Sequence, residues 1–301
     1  MWALATLEGT RPGVGLIVDG RIYSLAALAS AAGKTLPTTT VELFADWPRS
    51  HAALSDLAAS AANSGVANSD AVAAEFAAPL LYPGKVLCAG ANYYDHMAEM
   101  GFPGVKKEAQ RLFFFFKPPR NAVVGPGATV VMPRGTQKYD WEIELAAVIG
   151  RTARYVTAER ALEHIAGYTI AIDMSARDFN QAPDQFYKLD WVAGKATDAS
   201  CPMGPWIVPA QAIGDVQNVA LKLSVNGVVK QDSNTNQMIF PVAEQIARAS
   251  ELMTLDPGDV VLTGTPAGVG APKGTFLKPG DRIDAEIAGI GKLSVEIKSP
   301  L

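Results

Sequence analysis

The stretch Asp140-Trp-Glu142-Ile-Glu144-Leu-Ala-Ala-Val-Ile-Gly150 decides how this chain is read. Its pattern predicts a strand over Trp141–Ile149, in which residues two apart share a face. Asp140, Glu142 and Glu144 would then line one side, with Trp141, Ile143 and Leu145 opposite. The strand runs on into Leu-Ala-Ala-Val-Ile, apolar on both faces, which predicts burial. Carboxylates stacked near a core repel one another and are costly to bury without compensating cations. Lysine or arginine partners could supply that charge. So could a metal ion, and hard oxygen donors suit magnesium, manganese or calcium. The motif alone leaves the two readings level.

Asp173 adds a third carboxylate. It closes the apolar run Tyr168–Ile172 and precedes Met-Ser-Ala-Arg177-Asp178. A strand–helix–strand excursion would bring it beside Glu144, making three oxygen donors with positions left for water or substrate; a cap on the following turn is the alternative. Arg177 is then placed to meet an anionic substrate group. His96 and Glu99 stand at i, i+3 and would share one side of a short helix. Such a pair can take a proton from water, one member orienting the other; a capping or surface histidine is the competing reading. Lys195, after Trp191-Val-Ala-Gly194, could polarise a carbonyl or hold a carboxylate, or be a surface lysine. Thr263-Gly-Thr265-Pro-Ala-Gly268-Val-Gly270 is glycine-rich, but it lacks the GxGxxG spacing and any following GK[ST]. Phosphate binding is weakly supported there. Close approach of its backbone to a small acid, with Thr265 as hydroxyl donor, fits as well.

The surrounding chain supplies the frame. Residues 1–82 open with short strand-like pieces (Trp2–Leu7, Val14–Val18, Arg21–Ser24) and continue into an alanine-rich region with a helix expected over His51–Ala62. They read as a small α/β companion domain. Pro83-Gly84 marks a break, and residues 83–301 turn β-rich. Strands are expected at Val86–Ala91, Phe113–Phe116, Tyr168–Ile172, Val260–Thr263, Arg282–Ile287 and Lys292–Ile297. Asn226-Gly227 between two β-type runs predicts a two-residue hairpin. Helices are expected over Pro241–Leu252 and over Thr157–Ile165, the latter with Leu162 and Ile165 inward. Many short strands with few helices predict an α+β, β-rich, antiparallel or mixed architecture, not a doubly wound parallel sheet.

Composition narrows the function. Of 301 residues 49% are hydrophobic and 19% charged, so a sizeable core is expected and wholesale disorder is excluded. A formal net charge of −4 argues against general nucleic-acid binding. Cys88 and Cys201 have no close Cys or His partner, so they read as buried thiols and not as a zinc site. No apolar run approaches the roughly 18 residues of a membrane span. The opening MWALATLEGTRPGVG does not look like a secretory signal, and a soluble cytoplasmic protein is expected.

In chain order these segments resemble the fumarylacetoacetate hydrolase family. The resemblance rests on Lys85-Val-Leu-Cys-Ala-Gly-Ala-Asn92-Tyr-Tyr-Asp-His96, Asp140-Trp-Glu-Ile-Glu-Leu, Gly167 to Asp178, Gly194-Lys195, Pro202-Met-Gly-Pro-Trp206, Val225-Asn-Gly227 and Leu255 to Gly270. It covers about residues 83–298. It implies a mixed, rolled β-sandwich, paired as a homodimer, with a small N-terminal α/β domain. It also implies one magnesium or manganese ion on Glu142, Glu144 and Asp173, with no nucleotide cofactor. His96 and Glu99 would form a water-activating dyad on a segment that orders with substrate. Lys195 would be the catalytic lysine, Arg177 and Thr265 would contact a small anionic oxo acid, and Asp140 would support the ligands. Such proteins act on 2-oxo and β-dicarbonyl acids. The expected reaction is hydrolysis of a C–C bond in an acylpyruvate-type acid from aromatic-compound breakdown. A 2-oxo acid decarboxylase, an oxo-enol isomerase and a non-catalytic metal-binding paralogue are the rivals.

Overall fold

The computed structural model describes residues 1–8 and 13–300. Strand Ile143–Ile149 is buried along its whole length, as its two apolar faces require. Ile143, Leu145, Ala147 and Ile149 enter one core with Leu223, Ile283 and Leu293. Ala146 and Val148 enter a second core with Leu4, Trp47, Leu54 and Ile207. The two-residue period thus divides one strand between two hydrophobic layers.

This strand lies inside an 11-stranded mixed sheet. On one side it pairs antiparallel with Ile165–Ile172, then Cys201–Pro209, then Trp2–Leu7 and the other N-terminal strands. On the other it pairs antiparallel with Val260–Leu262, which runs parallel to Val86–Gly90; Phe113–Lys117 follows antiparallel at the edge. The expected N-terminal strands therefore continue the same sheet, through Leu4 opposite Ile207. A five-stranded sheet, Val228–Asn234, Ala220–Val225, Arg282–Ile287, Gly291–Lys298 and Thr129–Val131, covers the first core. The expected α+β, β-rich architecture is what the chain adopts.

The Asn226-Gly227 hairpin forms as expected. Val225 faces Val228, and both turn residues have positive φ (51° and 76°), the two-residue turn whose twist matches the strands. Helix Val242–Leu252 buries Val242, Ile246 and Ala249. The N-terminal helix runs Trp47–Ser60, starting earlier than expected because Asp46 caps it by accepting from the Arg49 amide and Pro48 fits its first turn.

Two expectations are corrected. No continuous helix spans Thr157–Ile165: an α-helical turn, Ala158–Ala161, tightens into a 3-10 turn, Leu162–His164. Ile165 is already the first residue of a strand and enters the core, while Leu162 is 43% exposed. A helix would have kept both on one side; the change of geometry gives that spacing up. The central strand also begins at Ile143, not Trp141. Tyr139–Asp140 forms a separate two-residue ladder with Ser175–Ala176. Asp140 therefore does not continue the face of Glu142 and Glu144. Among the described residues, no helix is long and apolar enough to cross a membrane.

Candidate active site

The register of two neighbouring strands builds the carboxylate cluster. Ile143 pairs with Ile172, so Glu142 and Asp173 leave the ends of adjacent strands side by side, and the Asp173 amide donates to the Glu142 carbonyl at 2.8 Å. Glu144 lies two residues into the strand. Oxygens of Glu142, Glu144 and Asp173 lie within 4.8 Å of one another, and all three residues are buried. The expected neighbourhood is there, and short helical turns lie between the two strands as the excursion required.

Cations converge on this cluster. Lys195 Nζ lies 2.7 Å from Glu142 Oε2 and 2.6 Å from Asp173 Oδ2. It sits in helix Trp191–Lys195, so the surface-lysine reading fails. Arg177 bridges Asp140 (Nε to Oδ2, 2.9 Å) and Glu142 (a 2.5 Å ion pair). Lys117 is 1% exposed and was not anticipated as a site residue. Its Nζ lies 2.7 Å from Asp173 Oδ1 and donates to the carbonyls of Met174 and Lys195. The available signal was position: in Phe113–Lys117 the lysine shares a side with Phe113 and Phe115, and Phe115 is buried.

Burial opposes ionisation of Glu142, but Arg177 and then Lys195 outweigh it and hold that carboxyl below its usual range. Glu144 behaves oppositely. Burial, then Asp173 and Glu142, push it well above the ordinary value. Its bonded partner is the Gly264 amide, at 2.6 Å. Asp173 is raised by burial against the pull of Lys117 and Lys195. Among the described residues, four buried carboxylates here face three cations, and Glu144 has none in contact. That deficit, with hard oxygen donors already converged, fits a divalent ion of the magnesium or manganese type.

His96 and Glu99 share one side of helix Tyr94–Glu99, and His96 Nδ1 lies 2.8 Å from Glu99 Oε1. The other Glu99 oxygen accepts from the Gly268 amide at 2.9 Å. Asp95 pins the same helix, accepting from Ser233 Oγ at 2.6 Å and from the Ala267 amide at 3.3 Å.

The glycine-rich loop holds the protein's own acids. Amides of Gly264, Gly268 and Gly270 donate to Glu144, Glu99 and Asp140 respectively. Asp140 further accepts from Ala271 and Arg177, which explains its turn away from the cluster. At Gly268 φ is +107° and a Cβ would lie 2.0 Å from the Lys230 carbonyl, so only glycine serves. Thr265 lines the site and is tied into the fold. Its hydroxyl donates to the Ile143 carbonyl and accepts from Gln231 Nε2, both at 2.8 Å, so its proton is committed to the fold. Gln231, which also accepts from the Ile143 amide, is a second organising residue that the spacing did not reveal.

A cavity of about 150 Å³ unites these groups. His96, Glu142, Glu144, Asp173, Arg177, Lys195 and Thr265 line it together with Ala89–Ala91, Phe115, Asn180 and Trp191. It is large enough for a small acid and carries both charged donors and an aromatic wall.

The fumarylacetoacetate (FAA) hydrolase C-terminal family model matches residues 85–298. Oxaloacetate tautomerase FAHD2A, mitochondrial, of Bos taurus is 43% identical over 218 residues, 72% of this chain and 67% of the relative. The structure of maleylpyruvate hydrolase from Sphingobium sp. SYK-6 with manganese(II) and pyruvate is 29% identical, covers 100% of both chains and superposes with a TM-score of 0.77. Fumarylpyruvate hydrolase from Pseudomonas aeruginosa, with Mn2+ and pyruvate, is 37% identical over 74% of this chain and 91% of its own, with a TM-score of 0.65. The chain belongs to the fumarylacetoacetate hydrolase family.

Proposed function

We propose that this protein is a divalent-metal-dependent hydrolase that cleaves a C–C bond in an acylpyruvate-type acid such as fumarylpyruvate or maleylpyruvate. The observation that carries the reading is the His96–Glu99 pair, with His96 on the wall of the cavity that the three carboxylates line. Glu142, Glu144 and Asp173 would hold the ion. When bound, it supplies Lewis-acid stabilisation of negative charge developing on the 2-oxo acid.

An ionised Glu99, itself held by Gly268, would accept a hydrogen bond from His96 Nδ1–H, which leaves Nε2 as the base. In the proposed reaction His96 takes a proton from water, and the water oxygen bonds to the acyl carbon. The C–C bond between that carbon and the pyruvate methylene breaks, its electron pair stays on the methylene, and a proton returns there. The products are a carboxylic acid and pyruvate. Lys195 and Arg177 face the same cavity and would orient the substrate's carboxylate and oxo group. Phe115 and Trp191 give the cavity an apolar wall beside these charges.

A second reading has its own support: the relatives at 42–43% identity named as oxaloacetate tautomerases. A tautomerase moves a proton between carbon and oxygen without breaking a carbon–carbon bond, and it needs no attacking water. Product analysis with manganese separates the readings. Pyruvate plus a second acid is expected from fumarylpyruvate. Unchanged mass, or carbon dioxide from oxaloacetate, with no acylpyruvate cleavage would overturn hydrolysis.

A further inference from the structure

Two elements approach the carboxylates in the same manner, each ending in a lysine with an aromatic residue behind it. In strand Phe113–Lys117 the two-residue period sets Phe113 and Phe115 on the side of Lys117, which reaches Asp173 at 2.7 Å. In helix Trp191–Lys195 the i, i+4 spacing sets Trp191 on the side of Lys195, which reaches the same carboxylate at 2.6 Å. One helical turn back from the ion pairs, the Trp191 and Phe115 rings stack with centroids 5.1 Å apart and planes at 22°; Phe113 extends the group, 4.9 Å from Trp191.

Close packing fixes this wall. A Cβ on Gly194 would lie 2.3 Å from Asn180 Cβ, so the helix carrying Trp191 rests directly on Arg177–Asn180. Trp191 and Phe115 line the cavity that holds the carboxylates. Arg177 and Lys195 line the same cavity beside the carboxylates they pair with, and Trp191 and Phe115 add an uncharged π surface to it.

We propose that Trp191 is a specificity-determining residue. The acyl part of the substrate lies flat against it, and the site selects planar, conjugated acyl groups over saturated ones. The proposal rests on the hydrolase reading above. It follows because an aromatic face gains more from a flat π system than from a methyl group of similar reach.

The test compares kcat/KM for fumarylpyruvate and acetylpyruvate, with manganese, in the wild type, Trp191→Leu and Trp191→Phe. The leucine variant should lose about tenfold on fumarylpyruvate and less than about twofold on acetylpyruvate. The phenylalanine variant, which keeps an aromatic plane, should retain most of the preference. Phe113→Leu, at the exposed end of the group, should shift the ratio in the same direction by less, and it serves if Trp191→Leu loses manganese binding. Equal losses on both substrates, no loss on either, or equal effects of leucine and phenylalanine would overturn the proposal while leaving hydrolysis standing. A wild type that cleaves neither substrate overturns both.

Discussion

Glu99 joins His96 to the glycine-rich loop: one carboxylate oxygen lies 2.8 Å from His96 Nδ1 and the other accepts from the Gly268 amide at 2.9 Å. The acid is therefore immobilised from behind, and the imidazole it holds inherits that orientation. Glu99→Gln should lower kcat by about 10²-fold, and His96→Ala by about 10²–10⁴-fold. Manganese affinity, measured by calorimetry, should stay within about twofold in both variants. An equal fall in metal affinity would make His96 a ligand or a structural group.

Gly268 carries the same relationship from the backbone side. Gly268→Ala places a methyl 2.0 Å from the Lys230 carbonyl at φ +107°. The loop must then shift, withdrawing the amide from Glu99. Loss of about 1–3 kcal/mol of stability in urea unfolding is expected, together with a fall in kcat. A variant with unchanged stability and turnover would refute the account of this loop.

Among the described residues Glu144 is the carboxylate of the cluster without a cation in contact, so it should depend most on the ion. Glu144→Ala or Asp173→Ala should abolish manganese binding and activity while the far-ultraviolet circular dichroism is retained. A strong chelator should silence the wild-type enzyme, and added manganese should restore it. Full activity in the chelator would sink the metal-dependent reading.

Lys117 is the least exposed cation of the cluster. Lys117→Met keeps the apolar stem but strips Asp173 of one partner and leaves the Met174 and Lys195 carbonyls without their donor. A destabilisation of roughly 3 kcal/mol is expected, read from the urea midpoint. A change below about 0.5 kcal/mol would show that Lys195 alone compensates Asp173.

What the sequence determined by itself is what short-range periodicity can encode. A run apolar on both faces predicted the buried central strand, i, i+3 spacing predicted the His96–Glu99 pair, and Asn-Gly predicted the hairpin. Each depends on residues within one or two turns of each other. The break before Ile143 and the outward Leu162 were not legible, because pairing of Asp140 with Ser175 and entry of Ile165 into a strand are long-range events. Tertiary structure alone decided the electrostatics. Asp173 meets Lys117 from a distant strand, the Thr265 proton goes to Ile143, and three loop amides turn to Glu144, Glu99 and Asp140. Those partners lie tens to more than a hundred residues apart, and strand register brings them together. A charge's neighbours in the fold, more than its neighbours in the chain, determine whether it serves as ligand, counterion or base.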